Sequence, residues 1–157
     1  MKRKFLLLVM MCLFGGLCSS LLAQDETVHI GSDGTSKLEK APFNLYAINS
    51  VCQQIYTVDE FKKYAANGTI PDGKISKLTF YENGGQNLKC TKVKIYMKEI
   101  TTSEKDVFSS SSDWYKNWDG VDLVFDSGDT KELEIKGGVL EITLDKPFEW
   151  NREKNIL

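Results

Sequence analysis

Apolar residues at every second position are the feature that most restricts what this chain can fold into. In residues 91–98, Thr91, Val93, Ile95 and Met97 share one side, and Lys92, Lys94, Tyr96 and Lys98 share the other. A period of two belongs to an extended strand with one face in a core and one in water. The lysine row then reads as a solvated face that also guards a strand edge against aggregation.

The same order recurs. Val121, Leu123 and Phe125 alternate with Asp122, Val124 and Asp126, and Leu140, Ile142 and Leu144 alternate with Glu141, Thr143 and Asp145. Leu78 and Phe80 lie one strand period apart after Gly73-Lys74-Ile75, and residues 51–56 are rich in β-formers. Turn-forming pairs and triplets separate these runs: Asp72-Gly73, Asn83-Gly84-Gly85, Asp119-Gly120, Ser127-Gly128-Asp129 and Gly137-Gly138. Many short strands joined by such turns predict an all-β fold, a jelly-roll-like antiparallel β-sandwich.

One helix is expected. Thr57-Val58-Asp59-Glu60 places a hydroxyl at the cap and a carboxylate three residues on, the capping-box arrangement. Val58, Phe61, Tyr64 and Ala65 then share a face, and Asn67-Gly68 ends the element. At the C-terminus, Pro147-Phe148 reads as a break after a strand. Asn155-Ile156-Leu157 reads as the start of another strand. The sandwich is therefore expected to lack its last strand or strands, with unpaired backbone groups left at the edge.

Three positive charges in Met1-Lys2-Arg3-Lys4 precede an apolar run from Phe5, with small residues toward Ala23. A charged start, an apolar middle and a small-residue exit form a secretory signal, with cleavage expected after Ala23. Lipid attachment at Cys18 is disfavoured, because Leu17 stands where a small residue is wanted. The remaining 134 of the 157 residues suit one module, residues 24–157. Loss of Lys2, Arg3 and Lys4 leaves 17 basic against 22 acidic residues, a net charge of about −5. No basic patch is present to neutralise phosphates, so nucleic acid is not an expected partner. The destination implied is secretion or the cell surface. No second apolar run is long enough to span a membrane.

Cys52 and Cys90 remain in the exported part. In an oxidising compartment they either form a disulfide or stay as two separate thiols. His29 is the only histidine, and its neighbours Val28 and Ile30 predict a first strand with His29 on the outer side. A catalytic histidine needs an orienting partner, and none is visible in the pattern, so His29 is read as structural or solvent-facing. Phosphate loops, zinc spacings and HExxH are missing from the sequence, and the chain is expected to be non-enzymatic.

Two clusters are candidate binding sites. Asp119, Asp122, Asp126 and Asp129 fall in one hairpin-like region, and Asp33 lies in Gly31-Ser32-Asp33-Gly34. Carboxylates with loop carbonyls suit calcium, but aspartates are also ordinary turn residues. Trp114, Tyr115 and Trp118 form the densest aromatic cluster, after Ser109-Ser110-Ser111-Ser112-Asp113. Exposed and coplanar, the two indoles would stack on sugar rings; buried, they would close one end of the core.

Four segments carry a resemblance by their order and spacing. They are Gln53-Gln54-Ile55-Tyr56, Val93-Lys94-Ile95-Tyr96-Met97, Phe108-Ser109-Ser110-Ser111-Ser112-Asp113-Trp114 and Ile142-Thr143-Leu144-Asp145-Lys146-Pro147-Phe148. Together they resemble the extracellular β-sandwich repeats of surface and secreted proteins of Bacteroidetes, which occur beside gingipain-type proteases, cleaved adhesin domains and fibronectin type III modules. The resemblance runs from about Ile30 to Leu157. It implies a jelly-roll-like fold, a role in adhesion or substrate capture of an extracellular protein or glycan ligand, and calcium as a cofactor related modules take. It carries over no defined binding residues. The helical pattern is longer than such repeats usually show, and a valine-rich strand would be expected to follow Leu157.

The leading expectation is thus a non-catalytic, adhesin-like binding module. A carbohydrate-binding module and a structural spacer from a larger secreted protein are its alternatives.

Overall fold

The computed structural model describes residues 26–30, 49–81, 88–105, 107–110 and 112–157. The expected signal segment with Cys18, the Asp33 turn and the Asn83-Gly84-Gly85 turn lie outside these residues. The described chain is rich in antiparallel strands with one short α-helix. Its elements are α1 (Val58–Tyr64), a 3-10 turn (Ala66–Gly68), β1 (Lys74–Tyr81), β2 (Leu88–Cys90), β3 (Lys94–Met97), β4 (Glu99–Ile100), β5 (Asp122–Asp126), β6 (Leu133–Ile135), β7 (Val139–Glu149) and β8 (Asn155–Ile156).

The strands pair as four antiparallel two-stranded ladders: β1 with β7, β2 with β6, β3 with β5, and β4 with β8. The first three are nested, each pair enclosing the next along the chain. β7 follows the expected alternation, with Leu140, Ile142, Leu144 and Phe148 buried and Glu141, Thr143 and Asp145 exposed. The four buried residues of β7 join Met97, Val124, Phe125, Leu133, Ile135, Trp150 and Ile156 in one core. Burial of each such side chain is worth about 1.5–3 kcal/mol before the entropy cost of ordering the chain.

Local chemistry fixes the helix as expected. Thr57 Oγ1 accepts from the Glu60 N–H at 3.1 Å, and the Thr57 N–H donates to Glu60 Oε2 at 2.8 Å. Asn67 takes φ 55°, the left-handed conformation that asparagine tolerates, and stops further winding. Phe61 packs on Trp150 with ring centroids 4.4 Å apart, seating the helix on the core.

Several expectations are corrected. Residues 51–56 form no strand; only Tyr56 makes a bridge, to Ile156. Thr91 is exposed, because the chain bends at Lys92, φ 59°, before β3 begins. β6 has no counterpart among the alternating segments of the sequence. It is joined to β7 through Gly137 and Gly138, at φ 57° and 79°, the conformation a tight hairpin demands. Pro147 does not end β7, but the ladder to β1 jumps from Phe148 to Thr143 around it, where a residue without an N–H costs no ladder bond. The last residues form β8, the strand expected there, and it is paired. Ile156 exchanges two backbone hydrogen bonds with Tyr56, and Leu157 exchanges two with Lys98, so the end of the chain is bonded on both flanks.

The alternation also fails at β5, with a consequence for the surface. Ile95 pairs with Phe125, but Tyr96 pairs with Leu123, leaving Val124 as an extra residue. Such a bulge reverses the parity of everything beyond it. Val124 and Phe125 are therefore both buried, and Leu123, expected in the core, is 42% exposed.

Candidate functional site

The bulge leaves an apolar cluster on the outer face of the β3–β5 ladder. Tyr96 is 45% exposed and Trp118 54% exposed. Their ring centroids are 6.3 Å apart with planes at 82°, an edge-to-face corner. Leu123 lies across the ladder from Tyr96. One strand period away on the same face, Lys94 pairs with Asp126 at 3.1 Å.

Trp118 is placed by a tight turn. Gly120 at φ 71° lets the chain reverse, the Val121 N–H donates to Trp118 O, and Asn117 Oδ1 accepts from the Asp119 N–H. A side chain at Gly120 would be forced into that left-handed conformation. Asp126 is held too: it accepts from the Gly128 N–H at 2.9 Å as well as from Lys94. These contacts pull its carboxyl below the usual range, the Gly128 hydrogen bond contributing most.

The three expected aromatic residues divide. Tyr115 is buried and anchors the loop. Its N–H donates to Gln53 Oε1 at 2.8 Å and its carbonyl accepts from Gln53 Nε2 at 3.0 Å. Its hydroxyl donates to Glu104 Oε1 and accepts from Lys98 Nζ, each at 3.0 Å. Tyr115 is thus held in the interior by four hydrogen bonds. Trp114 is 39% exposed. Trp118 is exposed and meets the ring of Tyr96 at 82°. The loop before Trp114 is closed by Asp113, which accepts from Lys105 Nζ at 2.7 Å and from the Ser109 N–H and hydroxyl at 2.9 Å. The Lys105 ammonium, then the Ser109 donors, hold the Asp113 carboxyl down to about 2.

The acidic residues are dispersed among lysines. Asp122 pairs with Lys146, Asp126 with Lys94 and Asp129 with Lys92, while Asp119 is exposed in its turn. Among the described residues no group of three or more His, Cys, Asp or Glu side chains is arranged to hold a metal ion. Three of the four aspartates thus stand in ion pairs with lysines, and Asp119 stands in a turn. A groove of about 430 Å³ on the β6–β7 hairpin is lined by Glu132, Glu134, Lys136, Val139 and Glu141, and lysines pair with two of those carboxylates.

Cys52 and Cys90 are both free thiols, Cys52 exposed and Cys90 packed against the core. Burial, then the charge of Glu132, pushes the Cys90 thiol up. His29 is exposed, outside any strand, with its ring 6.0 Å from that of Tyr81. Among the described residues no helix is long and apolar enough to cross a membrane.

Tyr96 and Leu123 are the site residues that sequence reasoning missed. The signal for Tyr96 was present, since it stands alone among lysines on the outward positions of its strand. Leu123 had no such signal, because its side depends on the bulge. Neither a protein family, nor a curated protein, nor a solved structure matches the chain.

Proposed function

We propose that this chain is an exported, non-catalytic binding module, adhesin-like in role, which presents the corner formed by Tyr96, Trp118 and Leu123 to a ligand outside the cell. The observation that carries the reading is the exposure of Tyr96 and Leu123, paired across the β3–β5 ladder, with Trp118 from the preceding turn set against Tyr96. A solvated face has no use for such a cluster, and aromatic side chains are enriched where proteins bind. The corner is also rigid, set by a ladder and a glycine turn, so little order is lost on binding.

The nested ladders support the jelly-roll-like part of the reading. Pairing β1 with β7 around β2 with β6 around β3 with β5 is the order obtained when a long antiparallel hairpin is rolled up. The charged leader at residues 1–4 and the apolar run after it support export. The acidic balance speaks for a partner other than nucleic acid.

Expression of the full chain in a bacterium tests both parts. The exported product is expected to begin at Gln24 and to be retained on immobilised mucin, collagen or whole bacterial cells. Retention is expected to fall in Trp118→Ala and Tyr96→Ala. A product that stays in the cytoplasm removes export. Retention on no surface, or retention indifferent to both substitutions, removes the binding role of the corner.

A further inference from the structure

Resting on that binding-module reading, we infer that the ligand of the corner is a neutral glycan, bound through one hexose ring. The two rings meet at 82° with centroids 6.3 Å apart. One ring therefore offers a flat face and the other a wall. A hexose has the matching shape: an apolar face of C–H groups, which the negative face of an aromatic ring attracts, and an edge that fits a wall.

The rim supplies the polar half of the match. Lys94 and Asp126 lie one strand period from Tyr96 and Leu123 on the same face, about 7 Å along the ladder. That distance is within reach of hydroxyls on a sugar seated over Tyr96. An ammonium donates to a hydroxyl and a carboxylate accepts from one, so the pair serves a group that does both. Because the two charges cancel, the rim has no net preference for an ionic ligand. The acidic balance of the exported chain further disfavours sulfated or uronic polymers.

Size separates a sugar from a protein partner. Tyr96, Trp118 and Leu123 are each about half exposed. Aromatic residues have roughly 150–250 Å² to bury, so the three together offer on the order of 300 Å². A stable protein interface needs about 800 Å² per partner. The cluster is too small for that and adequate for a sugar ring.

Affinity electrophoresis of the exported protein in native gels tests the inference, with separate gels containing a soluble neutral glucan, mannan or galactan. Retardation in at least one polysaccharide is expected. It should weaken about tenfold in Trp118→Ala and in Tyr96→Ala. Lys94→Met should weaken it several-fold, and Trp114→Ala should leave it unchanged. Circular dichroism melts of each variant separate loss of the site from loss of the fold. No retardation by any of the three, with retention on collagen or cells still dependent on Trp118, overturns the glycan and keeps the binding module. Retardation that survives both aromatic substitutions overturns this site. Absence of both retardation and retention overturns the two readings together.

Discussion

The side-chain amide of Gln53 and the backbone of Tyr115 exchange two hydrogen bonds, at 2.8 and 3.0 Å, across 62 residues of sequence. The amide copies what a neighbouring strand would offer. It satisfies both backbone groups of a buried residue where no strand lies alongside. Through this contact the loop bearing Trp114 is tied to the segment before the helix. Gln53→Ala leaves a partly buried N–H and carbonyl without partners, and it is expected to cost about 1–3 kcal/mol. Urea unfolding measures it; a change inside the error of the melt would show that water replaces the amide at no cost.

The bulge at Val124 predicts unequal costs for residues that the alternation pattern treats alike. Phe125 is 1% exposed and Leu123 42% exposed. Phe125→Ala is expected to lose about 3–5 kcal/mol, and Leu123→Ala to stay within roughly 0.5 kcal/mol. Chemical denaturation of the two variants checks the difference. Equal losses would mean that Leu123 also faces the core.

Asp113 makes the fold sensitive to acid. Its carboxyl is held at about 2 in the folded chain against an ordinary 3.8, chiefly by Lys105 and then by the Ser109 donors. A depressed carboxylate contributes stability that is full above its unfolded value and disappears as pH falls through its folded value. Stability is therefore expected to decline between about pH 4 and pH 2. Asp113→Asn should flatten that decline. The Asp113 carboxyl carbon, followed by NMR, should titrate near the bottom of the window; a midpoint near 3.8 would mean that the loop closure is not populated.

The capping box predicts a modest and specific loss. Thr57→Ala removes the acceptor for the Glu60 N–H and is expected to cost about 0.5–2 kcal/mol. Thr57→Ser keeps the oxygen and should retain most of the stability. Thermal melts of the two variants compare them, and equal losses would point to the lost methyl group instead of the cap.

Legibility in the sequence follows the range of the interactions. The helix could be read because Thr57, Glu60, Asn67 and Gly68 act within a dozen residues. β7 could be read because its inward residues alternate without interruption from Leu140 to Leu144. β6 escaped notice, since three residues are too short to show a period. The partners of Tyr56 and Leu157 are Ile156 and Lys98, far away along the chain, and nothing local announces them. At the candidate site, Trp118 was legible as an aromatic in a turn-rich region. Its partner Tyr96 was placed outward but not joined to it, because the two are brought together only when β3 and β5 pair.

By itself, then, the amino-acid order determined the extended character of β7 and β3, the start and stop of the helix, and the turns at Gly120, Gly128 and Gly137, all set by short-range sterics and side-chain period. Only the tertiary structure decided which side of the sheet Leu123 takes and what stands beside Trp118. The physical reason is parity. Inserting Val124 opposite no partner turns the strand over by one residue, and whether that insertion is made depends on the packing of Val124 and Phe125 together in the core, which no local pattern expresses.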